Sequence, residues 1–116
     1  MKLLNILELP LRWSDMDAYN HLSHAHYFHL MTEARAVLFK ANKLIESNLH
    51  FVAAQVECTY KIPYVYPDQI ILKQYSESLG RSSFILHYEF YARERPGLHA
   101  QAKARMVAFD PLAKKP

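Results

Sequence analysis

Cysteine and glycine are both scarce in this chain. Cys58 is the single cysteine among 116 residues, so no disulfide can form within the chain, and this fits a reducing compartment. The chain has two glycines, so residues of other types must build most of its turns. The apolar start, MKLLNILELPLRW, contains Asn5 and Glu8, lacks a small-residue cleavage signal and is too short to span a bilayer. We therefore expect a cytoplasmic protein that does not enter a membrane.

The sequence also lacks any concentrated region of positive charge. Its formal net charge is +3, and the cations are scattered apart from the pairs Arg93/Arg95 and Lys114/Lys115. A nucleic-acid groove needs a basic stripe interleaved with aromatic residues, and none is present. We interpret the charge as a solvated surface and expect no nucleic-acid partner, although a phosphorylated small molecule is compatible with it.

What the chain does contain is a globular composition and one strongly helical pattern. Its 51% hydrophobic and 22% charged residues are typical of a folded domain, and the length suits a single domain over residues 1–116. Ser23 is the expected N-cap of a helix that ends between residues 42 and 47. Apolar residues with helical spacing define its buried face: Tyr27, Leu30/Met31, Ala34, Val37/Leu38 and Ala41.

The other segments alternate with the period of β-strands. The predicted strands cover residues 3–13, 51–62, 69–79, 83–94 and 98–110, with hairpin turns at 80–82 and 95–97. The order β-α-β-β-β-β indicates an α+β fold with one long helix against a mostly antiparallel, five-stranded sheet. The predicted inward faces of the second and last strands are Val52, Ala54, Val56, Cys58 and Tyr60, and Ala100, Ala102, Ala104, Met106 and Ala108, with His99 on the opposite face.

One helix can cover only part of one face of such a sheet. Ile71, Tyr75, Ile85 and Tyr91 would then leave aromatic and aliphatic surface elsewhere, more than a small monomer usually shows. The sequence therefore predicts a homo-oligomer.

Two aspartates and four histidines cluster in the stretch from Leu11 to Arg35. Asp15 and Asp17 precede the helix, and a carboxylate held before a helix N-terminus is a common way to build a hydrolytic site. The plainer interpretation is that such residues form Asx turns, and we expect Asp15 to be structural. Four histidines, at 21, 24, 26 and 29, are enough to suggest a metal site, because imidazole is a common zinc ligand. No H-E-x-x-H motif is present, so we interpret them as solvated or interfacial and predict no metal.

The segment Trp13–Tyr27, WSDMDAYNHLSHAHY, resembles the signature of hotdog-fold acyl-CoA thioesterases of the 4-hydroxybenzoyl-CoA type. Their pattern is aromatic-x-D-x-D-x-x-G-H/V-hydrophobic-x-x-x-x-Y, followed by a helix that often contains E-A-R, as in Glu33-Ala34-Arg35. The similarity extends through VECTYKIPYVYPDQI and the turn at 79–83, and covers about residues 5–110. Asn20 stands where a glycine is usual, and asparagine tolerates positive φ better than other non-glycine residues.

This resemblance implies a bent antiparallel sheet wrapped around the long helix. It also implies dimers joined through sheet edges, commonly paired into tetramers, with active sites at the subunit interface. Asp17 corresponds to the nucleophile or general base, and the backbone N–H groups around His24 correspond to oxyanion donors. His24 also matches a histidine found in one branch of the family. No cofactor is implied, because CoA is part of the substrate.

Further residues are candidates for binding the substrate: Asn20, Tyr27, Glu57, Thr59, Arg81 and Ser82. Glu57 and Thr59 lie on the strand that the resemblance places near the dimer-related site. Arg81 and Ser82 could contact the CoA phosphates, although plain turn chemistry accounts for them equally well.

The leading hypothesis is hydrolysis of an acyl-CoA thioester. One alternative is a non-catalytic protein that binds acyl-CoA or acts in assembly. Another is an acyl-thioester hydratase or dehydratase, but those relatives carry D-x-N-x-x-H or a separated His/Glu pair. Asp17 followed by Asn20 and His21 does not reproduce that spacing.

Overall fold

The computed structural model describes residues 1–41, 50–78 and 83–109. Its elements are β1 (Lys2–Pro10), a 3-10 turn (Trp13–Asp15), α1 (His24–Ala41), β2 (His50–Tyr60), β3 (Gln69–Ser78), β4 (Ser83–Ala92) and β5 (Ala100–Phe109). All strand pairs are antiparallel, in one sheet of order β1-β3-β4-β5-β2. One helix packed on an open, five-stranded antiparallel sheet is the hotdog architecture, so the expected fold class is confirmed. In these described ranges no helix is both long and apolar enough to cross a membrane.

The first strand is shorter than predicted. It ends at Pro10, whereas the sequence pattern carried it to residue 13. Beyond Leu11 the chain tightens into the 3-10 turn, in which the Asp15 N–H donates to the Arg12 carbonyl at 3.0 Å. Trp13 is 68% exposed, so the apolar residue that extended the predicted strand does not belong to the core.

Helix α1 buries the predicted face through its first three turns. Tyr27, Leu30, Met31 and Ala34 are all buried, whereas Val37 is 47% exposed. Leu38, the other residue predicted at this position of the face, is partly buried and packs against the core. The predicted end between residues 42 and 47 lies outside the described residues.

A bulge in β2 overturns part of its predicted face. The register with β5 shifts between Ala53 and Gln55, and an extra residue at a bulge reverses the inward phase of the strand. Phe51 consequently packs against the core, and Val52 is 45% exposed. Tyr60, predicted to be core, is 37% exposed because it lies at the end of the strand beside the start of the helix.

The last strand shows the predicted alternation, with its alanine face buried. His99, predicted on the face opposite the alanines, lies outside the strand, and its side chain is fully buried. His99 precedes the strand, and its carbonyl accepts hydrogen bonds from the N–H groups of Lys61 and Ile62 at 2.9 and 3.0 Å. Its ring stacks on Tyr64 with 4.5 Å between centroids.

The four residues predicted to leave apolar surface exposed are half-buried, and two of them contact charged neighbours. The Tyr75 hydroxyl donates to Glu89 at 2.7 Å, and Lys73 lies over the ring of Tyr91. Ile71 and Ile85 are likewise half-buried. The homo-oligomer stays a prediction.

Candidate active site

A closed turn between β1 and α1 presents Asp17. The Asp17 N–H donates to the His21 carbonyl at 2.7 Å, and the Asn20 N–H donates to the Asp17 carbonyl at 3.1 Å. Asn20 adopts φ = 59°, in the left-handed region that asparagine tolerates better than most residues. The turn thus forms with asparagine in the position where a glycine is usual.

The two oxygens of the Asp17 carboxylate have different environments. Oδ1 accepts hydrogen bonds from the N–H groups of Tyr19 at 2.8 Å and His21 at 3.2 Å. Oδ2 accepts none from the part of the chain that the structure describes. The Tyr19 amide, and then the His21 amide, lower the pKa of Asp17, so this exposed carboxylate is ionised at neutral pH. Asp17 can therefore form the Asx turn through Oδ1 and still use Oδ2 to react with a bound molecule.

The start of α1 supplies hydrogen-bond donors beside this turn. The His26 N–H donates to the Ser23 carbonyl at 3.0 Å. The N–H groups of His24 and Ala25 donate to no acceptor within the described ranges, as expected for the first residues of a helix. The positive end of the helix dipole favours negative charge at this position.

A cleft of about 140 Å³ brings together the carboxylate and the helix start. Its lining residues are Asp17, His21, Leu22, His24, Tyr27, Tyr60, Lys61 and Pro63. Of the predicted site residues, Asp17, His24 and Tyr27 therefore meet in one place. Tyr60 and Lys61 were missed, because the alternation of β2 assigned Tyr60 to the core and no local pattern places either residue beside the start of the helix.

Aromatic rings form the wall of the cleft. The His24 ring stacks on Tyr60 with 4.0 Å between centroids and 9° between planes. Tyr27 meets Tyr60 edge-on at 4.9 Å and Phe90 at 5.3 Å. Burial raises the pKa of the Tyr27 phenol, so it stays protonated. Burial likewise raises the pKa of Cys58 to about 11, which excludes a thiolate nucleophile at neutral pH.

Several predicted binding residues lie outside the cleft in this single chain. Glu57 and Thr59 point to the face of β2 opposite Cys58 and line a separate depression, where Glu57 pairs with Lys103 at 3.2 Å. Asn20 shapes the turn without lining the cleft. The predicted contacts of Arg81 and Ser82 lie outside the described residues.

Asp15 is buried and makes the contacts of a structural residue. Arg12 binds it through two guanidinium hydrogen bonds, Nε to Oδ2 at 3.1 Å and Nη2 to Oδ1 at 2.8 Å. Burial raises the pKa of Asp15, but the bonds from Arg12 and the proximity of His26 outweigh it and leave the pKa below its usual value. The Asp15 carbonyl also accepts the Ser23 N–H at 3.1 Å.

The histidines do not assemble a metal centre in the described part of the chain. No group of three or more His, Cys, Asp or Glu side chains is placed there to hold an ion. His26 Nε2 lies 3.3 Å from Asp15 Oδ2, and its ring meets His29 edge-on at 5.9 Å. Burial is the main effect that lowers the pKa of His26, so the imidazole is neutral at neutral pH.

Comparisons with known proteins agree with this architecture. The model of the thioesterase-like superfamily matches residues 11–116. The PA2801 protein of Pseudomonas aeruginosa, a proposed thioesterase, is 29% identical, with 98% of this chain and 90% of that chain covered and a TM-score of 0.90. The DHNA-CoA thioesterase of Staphylococcus aureus is 18% identical, with coverage of 100% and 80% and a TM-score of 0.85. The 1,4-dihydroxy-2-naphthoyl-CoA thioesterase Slr0204 of Synechocystis is 15% identical, with coverage of 95% and 85% and a TM-score of 0.82. No curated protein matched the sequence.

Proposed function

We propose that this chain, which belongs to the thioesterase-like superfamily, hydrolyses an acyl-CoA thioester to a free carboxylic acid and CoA. The observation that carries the proposal is the Asp17 carboxylate, of which only one oxygen is held by hydrogen bonds from the described residues. Its Oδ1 accepts hydrogen bonds from two backbone amides, its Oδ2 accepts none from the described residues, and the side chain lines a cleft shared with the first turn of α1. The names of the structural relatives support the same class of substrate.

Asp17 would act on the thioester carbonyl in one of two ways. As a general base, Oδ2 takes a proton from water while the water oxygen attacks the carbonyl carbon. As a nucleophile, Oδ2 attacks that carbon itself, and water then hydrolyses the resulting anhydride. In both routes the C–S bond breaks, and CoA leaves as a thiolate that takes up a proton. The lowered pKa of Asp17 keeps it ionised for either role.

The amides of His24 and Ala25 would stabilise the oxyanion. Negative charge develops on the carbonyl oxygen as the carbon becomes tetrahedral, and unpaired N–H groups at a helix start are suited to bind it. The His24 ring stacks on Tyr60 and forms part of the wall of the cleft, so the side chain contributes shape and the backbone supplies the donors. The expected role of His24 is therefore carried first by its backbone.

The cleft is small for an acyl-CoA, and a second copy of the chain would enlarge it. In the part of the chain that the structure describes, β2 pairs only with β5, so its outer edge is open. Tyr60, which lines the cleft, is the last residue of this strand, and Lys61, which also lines it, follows directly. A homodimer joined through β2 would bring a partner against the site, and Lys61 would face the anionic part of CoA.

The test is release of free thiol from a panel of acyl-CoA thioesters. The parent protein should hydrolyse at least one member, and Asp17→Asn should lower kcat by about 100-fold or more. Glu8→Gln is the matched control, because Glu8 is an exposed carboxylate on β1 whose partner is Arg93. An Asp17→Asn protein as active as the parent would refute the role of Asp17. Binding of CoA without hydrolysis of any acyl group would favour the non-catalytic alternative.

A further inference from the structure

Asp15 connects three segments that meet at the candidate site. Its carboxylate binds Arg12, which follows β1 at the start of the same 3-10 turn, and lies against His26 in the first turn of α1. Its carbonyl accepts the N–H of Ser23, the residue that precedes the helix. The Asp15 side chain is only 5% exposed, whereas the Arg12 side chain that binds it is 63% exposed.

These contacts surround the turn that presents Asp17. The turn leaves Asp15 and returns at Ser23, and a β-bridge between Met16 and Leu22 closes its base. Both ends of the turn are therefore tied to Asp15, directly or through Ser23. Asp17 is two residues from this anchor, and the helix-start amides come immediately after Ser23.

We propose that Asp15 is a positioning residue that sets the distance between the Asp17 carboxylate and the amides at the start of α1. Arg12 holds it from the strand side, and His26 lies against it from the helix side. The inference rests on the hydrolase function proposed above. Catalytic groups need placement within about 0.5 Å, so a looser anchor should slow the reaction without abolishing binding.

A matched pair of variants separates positioning from general stability. Asp68 is also a buried aspartate held by an arginine, Arg95, but it precedes β3 and lines no part of the cleft. Asp15→Asn and Asp68→Asn each remove one buried charge and keep the size of the side chain. We expect Asp15→Asn to lower kcat by about ten-fold or more with KM changed less than about three-fold. Asp68→Asn should keep kcat within about two-fold of the parent protein.

The second pair of variants acts from the helix side and does not touch Asp15 itself. His26→Leu removes the ring that lies against Asp15, whereas His26→Gln keeps a nitrogen donor on a side chain of similar reach. We expect kcat to fall about five-fold in the first and to return to within about two-fold in the second. His29→Leu, one turn further along α1, is the control, because the His29 ring meets His26 but forms no ion pair with Asp15 among the described residues, and kcat should stay within about two-fold of the parent protein.

Hydrogen exchange tests the anchor without reference to activity. The N–H groups of Tyr19 and His21, which bind Asp17 Oδ1, should exchange several-fold faster in Asp15→Asn than in the parent protein or in Asp68→Asn. If the parent hydrolyses no thioester, the proposed function fails, and this measurement still decides whether Asp15 orders the turn. Equal exchange in all three proteins would overturn the positioning role. So would equal kcat losses in Asp15→Asn and Asp68→Asn.

Discussion

Two loops of the molecule each hold a buried aspartate against an arginine. Asp15 is bound by Arg12, and Asp68 by Arg95 at 3.0 Å. Each carboxylate also accepts backbone N–H groups: Asp15 from Arg12, and Asp68 from Gln69 at 2.7 Å and from Glu94 at 3.0 Å. In both loops, charge-assisted hydrogen bonds offset the cost of removing a carboxylate from water.

The two loops differ in the segment of chain that comes after the bound aspartate. After Asp68 the chain enters β3 at once through Gln69, and the strand uses its amides in the sheet. After Asp15 the chain makes the turn that exposes Asp17 and then begins a helix, whose first amides are unpaired among the described residues. Both loops thus share a buried aspartate that stabilises them. Only the first loop also presents a second carboxylate, Asp17, beside the unpaired amides of a helix start.

The largest difference between the loops should appear when Asp17 and Asp68 are replaced in turn. Asp17→Asn should lower kcat by about 100-fold or more with little change in stability, since Asp17 is exposed. Asp68→Asn should do the reverse, because its carboxylate serves only to hold its loop together. Thiol release and urea unfolding, measured on both proteins, give the two readouts. Comparable kcat losses would show that the Asp17 loop has no special role.

The next effect is the cost of Asp68→Asn to stability. Two backbone amides and Arg95 lose a charged acceptor, so we expect the free energy of unfolding to fall by about 1–3 kcal/mol. Asp15→Asn should cost less, because the Arg12 side chain is 63% exposed and the Arg95 side chain 43%. Urea unfolding at neutral pH measures both. A larger loss for Asp15→Asn would reverse this ranking.

The sequence specified much of the fold through simple periodicities. Helical spacing located the buried face through Tyr27, Leu30 and Ala34, and alternation located the alanine face of β5. These patterns succeed where one face of a regular element meets one environment. They failed at the bulge near Ala53 and at His99, where an extra residue and a preceding loop interrupt the regular repeat.

The candidate site was only partly predictable for a related reason. Asp17 and the helix start are adjacent in the sequence, so a motif can record them together. Tyr60 and Lys61 reach the cleft from a distant strand, and no local pattern reports that meeting. The binding of Asp15 by Arg12 has a short sequence separation, but its burial depends on the packed helix and His26.

A smaller effect concerns acid stability, where the two loops should behave alike. The pKa values of Asp15 and Asp68 both lie below the ordinary 3.8, since hydrogen bonds outweigh burial. Each group therefore binds a proton more weakly in the folded state, and its stabilisation is complete above about pH 5. That stabilisation is lost as pH falls below about 4, and either asparagine variant should show a shallower loss over this range. Urea unfolding between pH 7 and pH 3 measures the slope, and unchanged slopes would contradict the assignment.

The smallest expected effect comes from an ion pair that lies outside both loops. Glu8 and Arg93 join β1 to the segment after β4, but their side chains are 44% and 55% exposed. Water and salt screen such a pair, so Glu8→Gln should change the free energy of unfolding by about 0–1 kcal/mol. The same substitution chemistry in Asp68→Asn should cost more, because the Asp68 side chain is 1% exposed. Urea unfolding at low and high salt tests this. If Glu8→Gln lowered the free energy of unfolding as much as Asp68→Asn, burial would not explain why the arginine-bound aspartates stabilise the fold.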